Sequence, residues 1–192
     1  MTQQLANRVA DWLMRSDANQ EAREVYVYGL DKLFSTLINF AFVVGLGLLI
    51  GVALPAITFF AGYFSLRTYA GGYHADTPRK CFFISTAMVI PILFLIRFYQ
   101  VWLDAAVFYT ALACCTLILV LFVPVGTKNK MPDALEKVVY RRRSLVTLAV
   151  LLAGSTVLFA LSLYSYAAAV LLAITLTTAV VVAGKIKLLQ SR

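Results

Sequence analysis

The sequence predicts an all-α, polytopic membrane protein, with six transmembrane helices preceded by an interfacial amphipathic helix. Three observations carry this expectation. Of 192 residues, 61% are hydrophobic and only 14% charged, with mean hydropathy +0.84. That leaves too little polar surface for a water-soluble domain of this size. Several apolar runs approach the roughly 20 residues needed to cross about 30 Å of hydrocarbon. Short polar stretches, in which basic residues collect, divide those runs.

Residues 1–32 are read as a cytoplasmic amphipathic N-terminus. Leu5, Val9, Trp12 and Leu13 recur at helical spacing, while Asn7, Arg8, Asp11 and Arg15 fall mostly elsewhere on the wheel. This pattern suits a helix lying in the headgroup layer, with Trp12 at its level. The charges of this stretch, Glu21, Arg23 and Glu24 among them, do not fit a cleavable signal peptide.

The first spanning run is 33–54. Its Gly47 and Gly51 form a small-xxx-small pair that permits close helix packing, or are simply the glycines common in membrane helices. Pro55 opens a shorter second run to Tyr69, interrupted by Gly62 and edged by Ser65 and Arg67. A loop over 66–81 follows, and then a third run from Cys81 to Ile96. After the polar break 97–104 comes a fourth run, 105–123. The longest polar stretch, 124–144, separates it from the fifth run (145–163) and the sixth (167–184), and a basic tail covers 185–192. The whole of 1–192 reads as one integral membrane domain.

Charge settles the expected topology. With six crossings and a cytoplasmic N-terminus, every one of the 17 lysines and arginines except Arg97 lies inside, as the positive-inside rule requires. Omitting the short second crossing would put Arg67, Arg79 and Lys80 outside. The net charge of +8 is therefore read as contact with membrane lipids rather than nucleic acid, for which no groove-reading motif is present. No cofactor is expected. Three cysteines are too few and badly spaced for a disulfide framework or a metal site. Cys114 and Cys115 are neighbours in an apolar run, so they point about 100° apart on a helix and read as packing residues.

The stretch AGGYHADTPRKC, residues 70–81, holds the single histidine, His74, and the remaining cysteine, Cys81. A cysteine attacks as thiolate, which a free pKa of about 8.5 disfavours at neutral pH. Cys81 opens a predicted helix, whose positive end favours an anion, and Arg79 and Lys80 precede it. His74 can reach it across a turn at Pro78, and Gly71 and Gly72 free the backbone to bring the imidazole or a substrate close. A Cys/His pair is the minimal set for nucleophilic acyl transfer. A histidine and a cysteine that merely share a charged loop remain the alternative.

Arg67, the run Gly71-Gly72-Tyr73-His74 and Cys81 together resemble the signature of the accessory gene regulator B (AgrB) family. A second polar block resembles that family too: Phe122-Val123-Pro124, Asn129-Lys130, Pro132, Glu136 and Arg141-Arg142-Arg143-Ser144. Two positions depart from it. Met131 separates Lys130 from Pro132, and Gly126 stands where an aspartate is frequent.

The resemblance implies a membrane cysteine endopeptidase that processes an AgrD-type propeptide into a cyclic quorum-sensing pheromone. It implies Cys81 as nucleophile and His74 as base, with Arg67 and Gly72 in support. Asp76 either orients the imidazole or caps a turn with Thr77 and Pro78. Lys128, Lys130, Lys137, Arg141, Arg142 and Arg143 are candidates for holding an acidic propeptide tail, or else anchors to headgroups. A homodimer is the implied assembly. A small membrane transporter or peptide exporter is the competing reading, and an interaction subunit with docking loops is a third.

The topology has a direct check. A cysteine introduced at Gln100 should react with a membrane-impermeant thiol reagent in intact cells, whereas cysteines at Ala75 and Lys128 should stay protected. Rapid labelling at position 75 from outside would contradict both the topology and a cytosolic substrate.

Overall fold

The computed structural model describes residues 2–13, 20–73, 78–126 and 133–190, with backbone alone at 2, 20–22 and 78–83. Among the described residues every regular element is a helix, and the one β-type pairing is an isolated bridge. Four helices are long and apolar enough to cross a membrane: Arg23–Ile50, Ala105–Phe122, Ala134–Ala160 and Tyr164–Gln190. The chain divides into two units, 1–44 and 45–192.

The first unit holds α1 (Thr2–Leu13) and most of α2 (Gln20–Ile50). On α1, Ala6 and Ala10 are fully buried, while Leu5, Trp12 and Leu13 are exposed. Helix α2 starts at Gln20, well before the apolar run at Leu33. Hydropathy reports which solvent a residue tolerates, whereas a helix needs only backbone bonds and side chains that permit it. The Arg23 guanidinium donates to Asp11 at 2.8 Å and to Asn7 at 3.4 Å. Both ion-pair partners are half exposed, so this contact is worth no more than about 1 kcal/mol.

In the second unit α2 ends at Gly51, whose φ of +81° turns the chain. Gly47 serves a close crossing: a Cβ there would lie 2.7 Å from that of Ala56 on α3 (Ala53–Ala70). The pair read as small-xxx-small is thus divided between packing within the chain and a turn. Helix α3 runs through Gly62 without interruption. Gly62 is buried, and a Cβ there would meet Ala173 at 3.4 Å, so the glycine thins the helix contact rather than breaking the helix.

After α4 (Pro78–Arg97) and the short α5 (Tyr99–Trp102), α6 (Ala105–Phe122) starts at Asp104, whose carboxylate accepts the Val107 N–H at 2.7 Å. Helix α7 (Ala134–Ala160) takes in the second half of the stretch read as a loop over 124–144. Glu136 marks its start by accepting the Asp133 N–H at 3.3 Å, the return half of a capping box.

Helix α8 (Tyr164–Gln190) is the axis of this unit. It packs against α3, α4, α6 and α7, and 67% of its apolar window is buried, against 22% for α6 and 17% for α7. Ala167, Ala168, Ala169 and Ala173 have no exposed surface. Small side chains let neighbouring backbones approach closely, which is how helices associate when lipid already solvates their apolar groups. Thr177 and Thr178 satisfy their hydroxyls on carbonyls one turn back, at 2.8 and 2.9 Å.

The helices alternate in direction. One end of the unit gathers 98–105 and 159–166, where the Phe108 and Phe159 rings stack at 4.4 Å and the Trp102 indole donates to Leu95 at 2.9 Å. The other gathers the ends of α3, α6 and α8 with the start of α7. Most of the basic residues of this unit belong to that second end.

Candidate functional site at the basic end of the helices

The chain leaving α3 does not wander. Gly71 and Gly72 adopt φ of +71° and +115°, values that side-chain-bearing residues rarely reach. Gly71 forms a parallel bridge with Val125, just past α6. The Val125 N–H donates to Ala70 at 3.0 Å and the Val125 carbonyl accepts the Gly72 N–H at 3.1 Å. One residue on, the Tyr73 N–H donates to the Val180 carbonyl of α8 at 2.9 Å.

Arg67 takes two further carbonyls of this crossing. From the last turn of α3, one guanidinium nitrogen donates to the Gly71 carbonyl and the other to the Tyr73 carbonyl at 2.6 Å. A planar fork carrying several fixed donors suits this task, whereas an ammonium is a single point. Arg67 and Gly72 therefore have defined roles: one ties the loop down, and the other lets it lie against α8.

The peptide secured in this way is the one from which His74 leaves. His74 and Asp76 themselves lie outside the described residues, as do Lys128 and Lys130. Cys81 is the fourth residue of α4, with Pro78 at the first position, where its missing N–H costs nothing. The first-turn N–H groups of a helix have no partner within it and can receive an anion. Five residues of chain keep the start of α4 within about 18 Å of Tyr73.

The basic candidates that are described share one helix. Lys137, Arg141, Arg142 and Arg143 lie on α7, with the three arginines exposed and Ser144 and Leu148 buried further along the helix. Arg141 donates to the Val120 carbonyl at 3.3 Å, and the Arg143 guanidinium stands 5.6 Å over the Tyr69 ring. Arg143 thus reaches the helix that carries Arg67. Cys114 is exposed, and Cys115 is buried with its thiol 3.7 Å from the Thr175 hydroxyl. Among the described residues no three histidine, cysteine or carboxylate groups stand together as for a metal.

Sequence reasoning did not single out Val125, Val180, Gly184 or Lys187. The Lys187 ammonium stands 4.9 Å over the Tyr73 ring, and Gly184 has the Gly72–Tyr73 peptide directly against it. The available signal was a lone glycine inside a helical run.

These features define an all-helical protein of membrane-spanning type, with a polar loop stitched to three helices at its basic end. The chain belongs to the AgrB family: the model described as Accessory gene regulator B matches residues 6–182. An AgrB-like protein of Listeria welshimeri is 35% identical over 89 residues, which cover 45% of this chain and 44% of that protein. AgrB-like protein 2 of Clostridium perfringens is 34% identical over 124 residues, 62% of this chain and 58% of that protein. The chain therefore aligns with only about half the length of these relatives. A comparison with solved structures finds no match.

The clamp can be tested apart from activity. Arg67→Lys keeps the charge but cannot serve both carbonyls, so amide exchange at Gly72 and Tyr73 should accelerate by about tenfold or more, roughly the loss of one charge-assisted bond. Exchange in the middle of α8 should not change. Unaltered exchange at Tyr73 would mean that Val180 alone holds the loop.

Proposed function

We propose that this protein is a membrane cysteine endopeptidase that removes the C-terminal tail of an AgrD-type propeptide and closes the pheromone ring. The single observation that carries the reading is the backbone clamp. Arg67 and Val180 fix the peptide group that leads into His74, a few residues before Cys81 in the first turn of α4. Such rigidity is what a base needs if it is to stay within hydrogen-bond reach of a thiol.

The chemistry follows from those two groups. His74 takes the Cys81 proton, and the thiolate attacks the carbonyl that joins pheromone core to tail. The tail nitrogen departs with a proton returned by the imidazolium, leaving the core as a thioester on Cys81. Unpaired N–H groups at the start of α4 can stabilise the oxyanion. A cysteine of the core then displaces Cys81 from the same carbonyl, giving a thiolactone (a serine would give a lactone), and Cys81 regains its proton. Exchange of one thioester for another is nearly balanced in energy, so exclusion of water decides between ring closure and hydrolysis.

In this reading α2, α3, α4, α6, α7 and α8 all cross the bacterial cell membrane, and α1 lies in its interface. The basic ends of α3, α7 and α8 face the cytoplasm, with Cys81 at that edge. Lys137 and the exposed Arg141, Arg142 and Arg143, with Lys128 and Lys130, meet the acidic tail. A homodimer remains the assembly proposed.

Cys81→Ala and His74→Ala should each abolish propeptide cleavage, measured by release of the tail, at unchanged protein level and membrane insertion. Cys114→Ser with Cys115→Ser should leave cleavage within about twofold, since neither thiol belongs to the polar end. Cleavage by the Cys81 variant with loss in the double variant would identify the wrong thiol.

A further inference from the structure

Three positions on one stripe of α8 meet the loop that leads into His74. Val180, Gly184 and Lys187 are spaced four and three residues apart, which puts them on a single helix face. The Val180 carbonyl accepts the Tyr73 N–H at 2.9 Å, and a carbonyl has lone pairs enough for this in addition to a helix bond. The Lys187 ammonium covers the Tyr73 ring at 4.9 Å. Between them, Gly184 presents no side chain at all.

The fit at Gly184 leaves no room. A Cβ there would lie 2.5 Å from the Gly72 carbonyl carbon, 2.5 Å from the Tyr73 nitrogen and 2.7 Å from the Gly72 Cα. These are backbone atoms, which cannot rotate aside as the tip of a side chain would. The contact is reciprocal, because a Cβ on Gly72 would lie 2.7 Å from the Val180 oxygen. The loop thus rests backbone to backbone on the most buried helix of the unit, with Arg67 and Val125 holding its other edges. If the two are forced apart, the loop must give, since α8 is packed against α3, α4, α5, α6 and α7.

We propose that the Val180–Gly184–Lys187 stripe of α8 is a positioning element for the Cys81–His74 pair, setting the height and direction of the chain from which His74 departs. Gly184 is its decisive member. The proposal rests on the reading of Cys81 as nucleophile and His74 as base. Restoring an ordinary contact at a Cβ on residue 184 needs the loop to retreat by about 1 Å, and a shift of that size costs about 10²-fold in rate when it separates reacting groups. Substrate held by residues elsewhere would bind as before.

The test uses full-length protein in lipid nanodiscs, with Cys114→Ser and Cys115→Ser so that Cys81 is the remaining thiol. Three quantities are read: the pH profile of Cys81 alkylation by iodoacetamide, and kcat and KM for propeptide cleavage. His74→Ala should abolish cleavage and move the alkylation profile to that of an ordinary thiol, near pH 8.5. Gly184→Ala should move the profile in the same direction and lower kcat by about 10- to 100-fold, with KM within about twofold. Gly154→Ala on α7, where a Cβ would meet nothing within 4 Å, should change neither. Lys187→Met removes the charge over Tyr73 without crowding, and should shift the profile the same way by a smaller amount.

A Gly184→Ala protein with parental profile and kcat overturns the proposal. So does a loss confined to KM. If Gly184→Ala fails to insert, an unmoved profile in a well-inserted Lys187→Met protein overturns it equally. A His74→Ala variant that alkylates and cleaves like its parent instead sinks the pair itself, whatever Gly184 does.

Discussion

The two bonds from Arg67 to the carbonyls of Gly71 and Tyr73 hold the polar end of this protein together. Both carbonyls belong to a segment outside any helix, at the end of an apolar bundle, where an unpaired polar group is costly. Hydrogen bonds to a charged donor contribute about 1.5–3 kcal/mol each. The guanidinium is therefore both the partner these carbonyls lack and the means of fixing where the chain goes next.

That clamp depends in turn on how α3 is held. Arg67 rides on the last turn of α3, and α3 is drawn against α8 by small residues, with Gly62 meeting Ala173 and Leu66 lying in the core. The alanines of α8 set the helix spacing, the spacing puts Arg67 over the loop, and the loop delivers His74. In a bilayer this order of dependence is natural. Close packing of small residues and satisfied polar groups supply the association that apolar burial supplies in water.

Much of the fold was legible because hydropathy and helix length follow from the same bilayer. The apolar runs reappear as helices, but their ends moved where helix and hydrocarbon part company. Helix α2 extends back to Gln20 and α7 back to Ala134, because Arg23, Glu24 and Arg141–Arg143 are good helix formers that merely prefer headgroups to lipid. Gly62 looked like a break because a lone sequence cannot distinguish a glycine that interrupts a helix from one that admits a neighbour. The residues of the loop were legible as a motif, yet their roles were not. Arg67 serves carbonyls only four and six residues on, but what Gly72 does is defined by partners far along the chain, namely Val125, Val180 and Gly184, and no local pattern announces a backbone-to-backbone contact.

The central claim is covalent catalysis by Cys81, and the most direct measurement is intact-protein mass spectrometry after brief incubation with propeptide. The propeptide should carry alanine in place of its ring-forming cysteine, so that tail release can proceed and ring closure cannot. The account predicts an adduct whose mass equals enzyme plus pheromone core without the tail, lost in Cys81→Ala and released by hydroxylamine as a thioester would be. Tail release at the normal rate with no adduct would contradict it, and would point to direct attack by water.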